Sequence, residues 1–468
     1  MSQGANGSLP EELITVRDRL PGLVAALESK APYAAALAGR ESGLSISVND
    51  REQRMSEVTP REGIVFTVWN GDHMQEAASG QLTAETMEAT VADLRARVQA
   101  RPGGVAIDPG APLHGHFATP MEIDPASKTI DAKLELCRDL HRRAHGDDPR
   151  IVNVNVRYQD RAEIKIFCNR SKLISQVVQR VRLQVAVFAG DGRQRAYDWI
   201  TRDGTGGLER LRFSDDDLAQ TRENATRLLR AGRIEPGTYD VVCAPDVSGV
   251  IAHECFGHGV EMDLYPKGRA LSQQFLGKVV AAPEVSILED PTIPGGFGTY
   301  FFDDEGQPAA PTYVIRDGVY ERGITDLFAA TALSFPRSAN GRRESFERKA
   351  YARMSNTYFA RGTAPVAGML GGLDDGIYLQ RQSSGMEDPK GWGVQVICHY
   401  GREVKGGQLT GRVFTQVGVT GYVPDLLKGI TAIGDDFELS GGTCGKGHKE
   451  RVLVSLGGPH LRLRARLG

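Results

Sequence analysis

His253, Glu254 and His258 stand together in the stretch VSGVIAHECFGHGVE (247–261), and their types suit the activation of water on a divalent metal. Two neutral imidazoles can hold a zinc ion, which then needs at least one further N, O or S donor and an open position for water. Such an ion lowers the pKa of its water toward about 7, and a carboxylate beside a ligand can accept the proton. Glu254, next to His253, suits that role. Glu261, three residues after His258, is a candidate for a further ligand or for a partner that orients an imidazole.

The spacing is a difficulty. Histidines four residues apart on a helix diverge by about 40°, whereas the five-residue step here separates them by about 140°. A regular helix would not aim both rings at one ion. A wide turn or a π-bulge would, and Gly257 and Gly259 are where such a distortion costs least. The plain alternative is a capped helix end with a satisfied core histidine.

The elements around this stretch divide the chain into 1–120, 121–235 and 236–468, an α+β arrangement with mixed α/β segments first and a β-rich segment last. In the first, Ile64, Phe66 and Val68 alternate as in a strand, and Asn70-Gly71 supplies a hairpin turn. Met87, Val91, Leu94 and Val98 carry a helical spacing that Pro102 stops. The Gly- and Pro-rich run 103–120 reads as a linker or long loop. In the second, Asp124 and Pro125 open a helix with the stripe Ile130, Leu134, Cys137 and His141, ending at Gly146. Val152, Val154, Val156 and Tyr158 alternate next, then Val181, Leu183, Val185 and Val187. Ser214 and Asp217 form a capping box ahead of a helix with Gly232 at its C′ position, and Pro236-Gly237 marks a boundary. The third is glycine-laden with strand alternation, as in GWGVQVICHY and GRVFTQVGVTGYV, where glycines fit bulges or close backbone approach.

The 468 residues carry a formal net charge of −3, so no general field favours nucleic acid or an anionic membrane. The short basic run Arg462–Arg466 reads as a solvated terminus. No apolar run reaches a membrane span, and the start, MSQGANGSLPEEL, has no signal-peptide pattern. The six cysteines have no repeated spacing and read as free thiols, or as one ligand plus core residues, and the expected setting is the cytoplasm.

Other histidines compete for a metal. His141 and His145 have the better helical spacing, but Arg142 and Arg143 lie between them and no acid follows His141, so they read as core or surface residues. His114 and His116 sit in the expected loop as an incidental pair. A thiol nucleophile at Cys444 with His448 or His399 as base would leave HECFGH unexplained. No phosphate-binding glycine loop is present.

HECFGHGVEMD resembles the HExxxH segment of the TldD/PmbA family of peptidases. DDEG (303–306), RMSNTYFARG (353–362), GGLDDGIYL (371–379) and TCGKG (443–447) follow in the family's order. The resemblance runs from about residue 63 to the end. It implies zinc held by His253, His258 and Cys444, with Glu254 as catalytic base. The implied fold is a mixed α/β N-terminal region followed by a β-rich metal-binding domain. The implied activity is cleavage of peptides or unstructured segments, in a homodimer or a heterodimer with a TldE/PmbA-like paralogue. A non-catalytic peptide-binding subunit is the family's other role; its members lack the metal residues that this chain keeps. Cys444 lies among glycines, where backbone can approach an ion, and Lys446 is placed to favour the thiolate. The chain departs from the family at His448-Lys449, where a small residue and glutamine are usual, so His448 is either an alternative ligand or simply exposed. It departs again at Ala360-Arg361-Gly362, which changes the local charge. Cys255 reads as packing.

Overall fold

The computed structural model describes residues 7–99, 101, 104–447 and 449–468. Seven strands from the first half form one sheet: β1 (Tyr33–Asn49), β2 (Gln53–Trp69), β3 (Met74–Ser79), β4 (Leu113–Ala118), β5 (Ile151–Asn169), β6 (Lys172–Gly190) and β7 (Arg195–Thr205). Their order is β3-β2-β1-β5-β6-β4, with β7 also on β6. Strand β4 pairs with residues 172–177 of β6 and β7 with residues 180–190, so the two lie end to end along one edge. The expected loop at 103–120 therefore holds a parallel strand. Its pattern Leu-His-Gly-His-Phe-Ala gave little alternation to read, and most of it is at least partly exposed.

The Asn70-Gly71 hairpin is present. The Asn70 carboxamide oxygen accepts from the amides of Asp72 and His73, closing the turn between β2 and β3. Helices α1 (Glu11–Glu28), α2 (Ala84–Arg97), α3 (Ile130–His145) and α4 (Asp215–Leu228) belong to the same half. Val98 is the C-cap of α2, and Pro102 lies outside the described residues. Asp124 caps only a three-residue 3-10 turn; α3 begins after Thr129, whose hydroxyl accepts from the Ala132 amide. Leu134, Cys137, Leu140 and Ala144 face the core, while Ile130 is 46% exposed. The Ser214–Asp217 capping box forms as expected. Helix α4 stops earlier than Gly232, which instead bonds through its amide to Val413. Val181, Leu183, Val185 and Val187 are fully buried. Val152 points outward, because the register shifts between Ile151 and Asn153.

The second half is an α+β unit with helix α5 (Pro245–Phe256) inside it. One sheet contains β8 (Gly237–Cys243) between the strands Asp375–Asp388 and Leu461–Leu467. The other runs through Ile287–Glu289, Asn356–Phe359 and Lys449–Gly458 and ends on Glu438–Lys446. The basic run 462–466 is thus a strand. Leu461, Leu463, Ala465 and Leu467 fill its buried face, and the arginines take the other.

Every residue of α5 except Asp246 is buried, and its apolar side chains share a core with both sheets. A Cβ on Gly249 would strike the backbone of Leu456 and Gly457, so only glycine lets the helix lie this close to the strand. No helix among the described residues is long and apolar enough to cross a membrane.

Candidate metal centre

Gly257 removes the spacing difficulty. Helix α5 ends at Phe256, Gly257 adopts φ −105° and ψ −75°, and a 3-10 turn, His258–Val260, follows. The distortion is a helix end rather than a π-bulge. A Cβ at residue 257 would lie 3.0 Å from Met354 Cγ and would press into the carbonyl of His253. The turn brings the rings of His253 and His258 to a centroid separation of 5.3 Å at 89°.

Cys444 arrives from the edge strand Glu438–Lys446, with Sγ 3.1 Å from His258 Nε2. One potential ligand atom from each of His253, His258 and Cys444 lies within 4.8 Å of the others. Glu254, 7% exposed, shares the helix end. It fits because residue 385 is glycine: a Cβ there would be 2.5 Å from Glu254 Cγ and 2.7 Å from Oε1.

Charged groups fix this cluster from behind. Arg353 donates from Nη2 to Cys444 Sγ at 3.0 Å and from Nε to Glu261 Oε1 at 3.2 Å. Glu261 Oε2 lies 3.5 Å from His258 Nδ1 and 3.0 Å from Lys446 Nζ. Glu261 is therefore an orienting partner of His258 and not one of the clustered donors. Lys446 binds Glu261 and Asp263, so the cation on the sulfur is Arg353 instead.

Burial opposes a charged sulfur at Cys444, yet the imidazoles of His258 and His253 hold its thiol well below the ordinary value. Burial likewise opposes the imidazolium forms, but the thiolate raises His253, and the thiolate with Glu261 raises His258 well above its usual range. Burial acts against the Glu261 carboxylate too; Lys446, His258 and Arg353 overcome it and hold the group ionised.

Two imidazoles and a readily ionised thiol form a donor set of the kind zinc takes. His253 Nδ1 is buried without a hydrogen-bond partner among the described residues, so the ring has an unused donor or acceptor beside the cluster. The residues present fit the metal.

Sequence reasoning missed three contributors. Arg353 lies in RMSNTYFARG, but nothing in that motif announces a contact across 91 positions. Gly385 looks like any other glycine in a strand. Glu387 ends up with both carboxylate oxygens buried and without a hydrogen-bond partner among the described residues, beside Gly259; burial pushes it up to about 8, with His258 opposing and Glu254 adding to the shift.

The competing histidines lie elsewhere. His141 and His145 both bind Asp50, and His116 binds Ser175 and the Gly7 carbonyl. His399 bonds to the Tyr197 carbonyl and lies beside the rings of Tyr197 and Trp199. Cys255 is a fully buried packing residue. His448 lies outside the described residues.

Fold and site together define an α+β protein with a buried two-imidazole, one-thiolate cluster suited to a transition metal. The PmbA/TldA metallopeptidase C-terminal domain model matches residues 236–466, and the central domain model matches residues 123–233. A metalloprotease of Synechocystis is 30% identical over 97% of this chain and 98% of its own length. Another from Methanothermobacter thermautotrophicus is 32% identical over 77% of this chain and 79% of its own. TldE from Thermococcus kodakarensis shares the fold with a TM-score of 0.74, at 13% identity, over 96% of this chain and 99% of that one. The chain belongs to the PmbA/TldD family of metallopeptidases, as its motifs implied.

Proposed function

We propose that this chain is a zinc-dependent peptidase acting on peptides or unstructured polypeptide segments, with His253, His258 and Cys444 as zinc ligands and Glu254 as the base. The observation that carries this reading is the convergence of those three donors, from positions up to 191 residues apart, within 4.8 Å. When bound, zinc supplies Lewis acidity to the scissile carbonyl and to water.

Glu254 takes the proton of the attacking water and returns it to the leaving amine. Arg353 steadies the sulfur, Glu261 orients the His258 ring, and Gly385 leaves the space that Glu254 occupies.

Two strands with open edges support an extended substrate. Glu438–Lys446 lies at the end of its sheet, and Asp375–Asp388 pairs with β8 only over residues 376–379. Backbone groups beside the cluster are therefore available for strand addition, which holds main chain and tolerates many side chains. The likeness to TldE supports assembly with a second copy or with a TldE/PmbA-like paralogue. Free cysteines fit a cytoplasmic setting.

Zinc analysis and peptide hydrolysis test this reading. Wild type is expected to carry close to one zinc per chain and to cut unstructured peptides. Glu254→Gln is expected to keep zinc and lose turnover, and Cys444→Ser to lose both. Turnover retained in Glu254→Gln removes the proposed base. Wild type without zinc or turnover points to the non-catalytic peptide-binding subunit instead.

A further inference from the structure

Between the first sheet and the second half of the chain lies a polar cavity of about 400 Å³. Arg182, Trp199 and Asp203 line it from β6 and β7, and Arg381, Gln382 and Glu438 line it from the strands that lead to the metal centre. Its volume falls in the usual range of ligand sites.

Its position follows from the strands. Gly441 is at its wall, and Cys444 is three residues further along the same strand. Gln382 is also at its wall, and Gly385, which abuts Glu254, is three residues further along the other. At roughly 3.3 Å per residue, both routes put the cavity about 10 Å from the cluster, three residues of extended peptide.

The open edges close where the cavity begins. The Gly441 amide donates to Asp203 at 2.9 Å, and the Gly441 carbonyl accepts from Arg182 Nη2 at 2.8 Å. On the facing strand the Gln382 amide donates to Asp246 Oδ2 at 3.0 Å. A peptide added along these strands loses its main-chain partners there, so beyond that point its side chain meets the cavity.

The charges do not balance. Arg202 pairs with Asp217, Arg182 with Asp203, and Arg381 with Asp198 behind the wall. Asp246 and Glu438 also line the cavity and have no ion pair among the described residues. Asp246 is satisfied only by backbone amides, and Glu438 makes no side-chain hydrogen bond there. Burial and the nearby Asp246 raise the Glu438 carboxyl above its ordinary value, although Arg202 and Arg381 pull the other way. Two carboxylates without an ion pair of their own, beside an aromatic wall at Trp199, suit a cation.

We propose that this cavity is a substrate subsite for a basic side chain, lysine or arginine, about three residues from the scissile bond. The inference rests on the peptidase reading and adds a side-chain preference that strand addition alone does not supply.

The test uses the full-length zinc-loaded protein and alanine–glycine peptides in which one residue, placed at successive positions, is lysine, alanine or glutamate. Mass spectrometry locates the cuts. Cleavage is expected at a constant offset of about three residues from the lysine, with kcat/KM about tenfold above the alanine peptide and the glutamate peptide poorest. Glu438→Arg is expected to invert that order. Binding of the same peptides to Glu254→Gln, read by fluorescence anisotropy, should rank them as the wild-type kinetics do. Cleavage of all three within twofold, or a lysine preference that survives Glu438→Arg, overturns the subsite and leaves the peptidase reading standing. Absence of any turnover by wild type overturns both.

Discussion

Two histidine pairs lie in different halves of this chain, and the one with the worse spacing makes the better candidate for a metal centre. His141 and His145, four residues apart on α3, share a single partner: Asp50 lies 2.8 Å from one Nε2 and 3.3 Å from the other. Their side chains are 19% and 36% exposed, and among the described residues the two rings and Asp50 do not form a set of three donors all within 4.8 Å of one another. His253 and His258, five apart, need a helix end at Gly257 to meet at all. They meet inside the protein, with a thiol that they help to ionise and an Arg353–Glu261–Lys446 array behind them. Helical spacing decides whether two rings can face one point; burial and charged supports decide whether that point attracts a cation.

Substitutions at the two pairs test that contrast. The largest expected effect is at the sulfur: Cys444→Ser should abolish zinc retention, while His141→Ala should leave the zinc content of the purified protein unchanged. Gly385→Ala comes next. A methyl 2.5 Å from Glu254 Cγ must displace that side chain, so kcat should fall by about 100-fold while zinc stays, as elemental analysis of the same preparation would reveal.

Glu261→Gln keeps the shape but removes the charge behind His258. Zinc affinity, measured by competition with a chelator, should weaken by about 10- to 100-fold. A zinc affinity equal to wild type would show that the array does not support the metal.

The smallest effect belongs to the surface pair. Burial opposes the Asp50 carboxylate, but the Val154 amide and His141 lower its pKa. A depressed carboxyl stabilises the fold above its unfolded pKa of about 3.9, and that contribution disappears as pH falls through the folded value. Asp50→Ala should therefore lower Tm by about 1–2 °C at neutral pH and by nothing at the acid end. A uniform loss at every pH would mean that packing, not charge, is what Asp50 contributes.

The strands with strict alternation were plain in the sequence, because Val181, Leu183, Val185 and Val187 each face the core of a wide sheet. The candidate site residues His253, Glu254 and His258 could be picked out of the sequence, with the five-residue step left open, and family resemblance reached Cys444. The supports were not legible. Arg353 reaches the sulfur only after Asn356–Phe359 and Lys449–Gly458 have paired, and Gly385 matters only once α5 lies against its strand. Parallel β4 escaped for a similar reason: an exposed strand held by one edge has no periodicity to display. His141 read as part of an apolar stripe because a helix side chain at the border of a core can face either way, and Asp50, 91 residues distant, decides it.

The grip of Asp203 and Arg182 on Gly441 makes the cysteine arm a lever with its fulcrum in the other half of the protein. A fragment cut to residues 236–466 would contain every proposed zinc donor, yet the arm that carries the sulfur would be moored along one side only. The amino-terminal half, which holds none of the proposed donors, thereby sets how firmly the cysteine is presented.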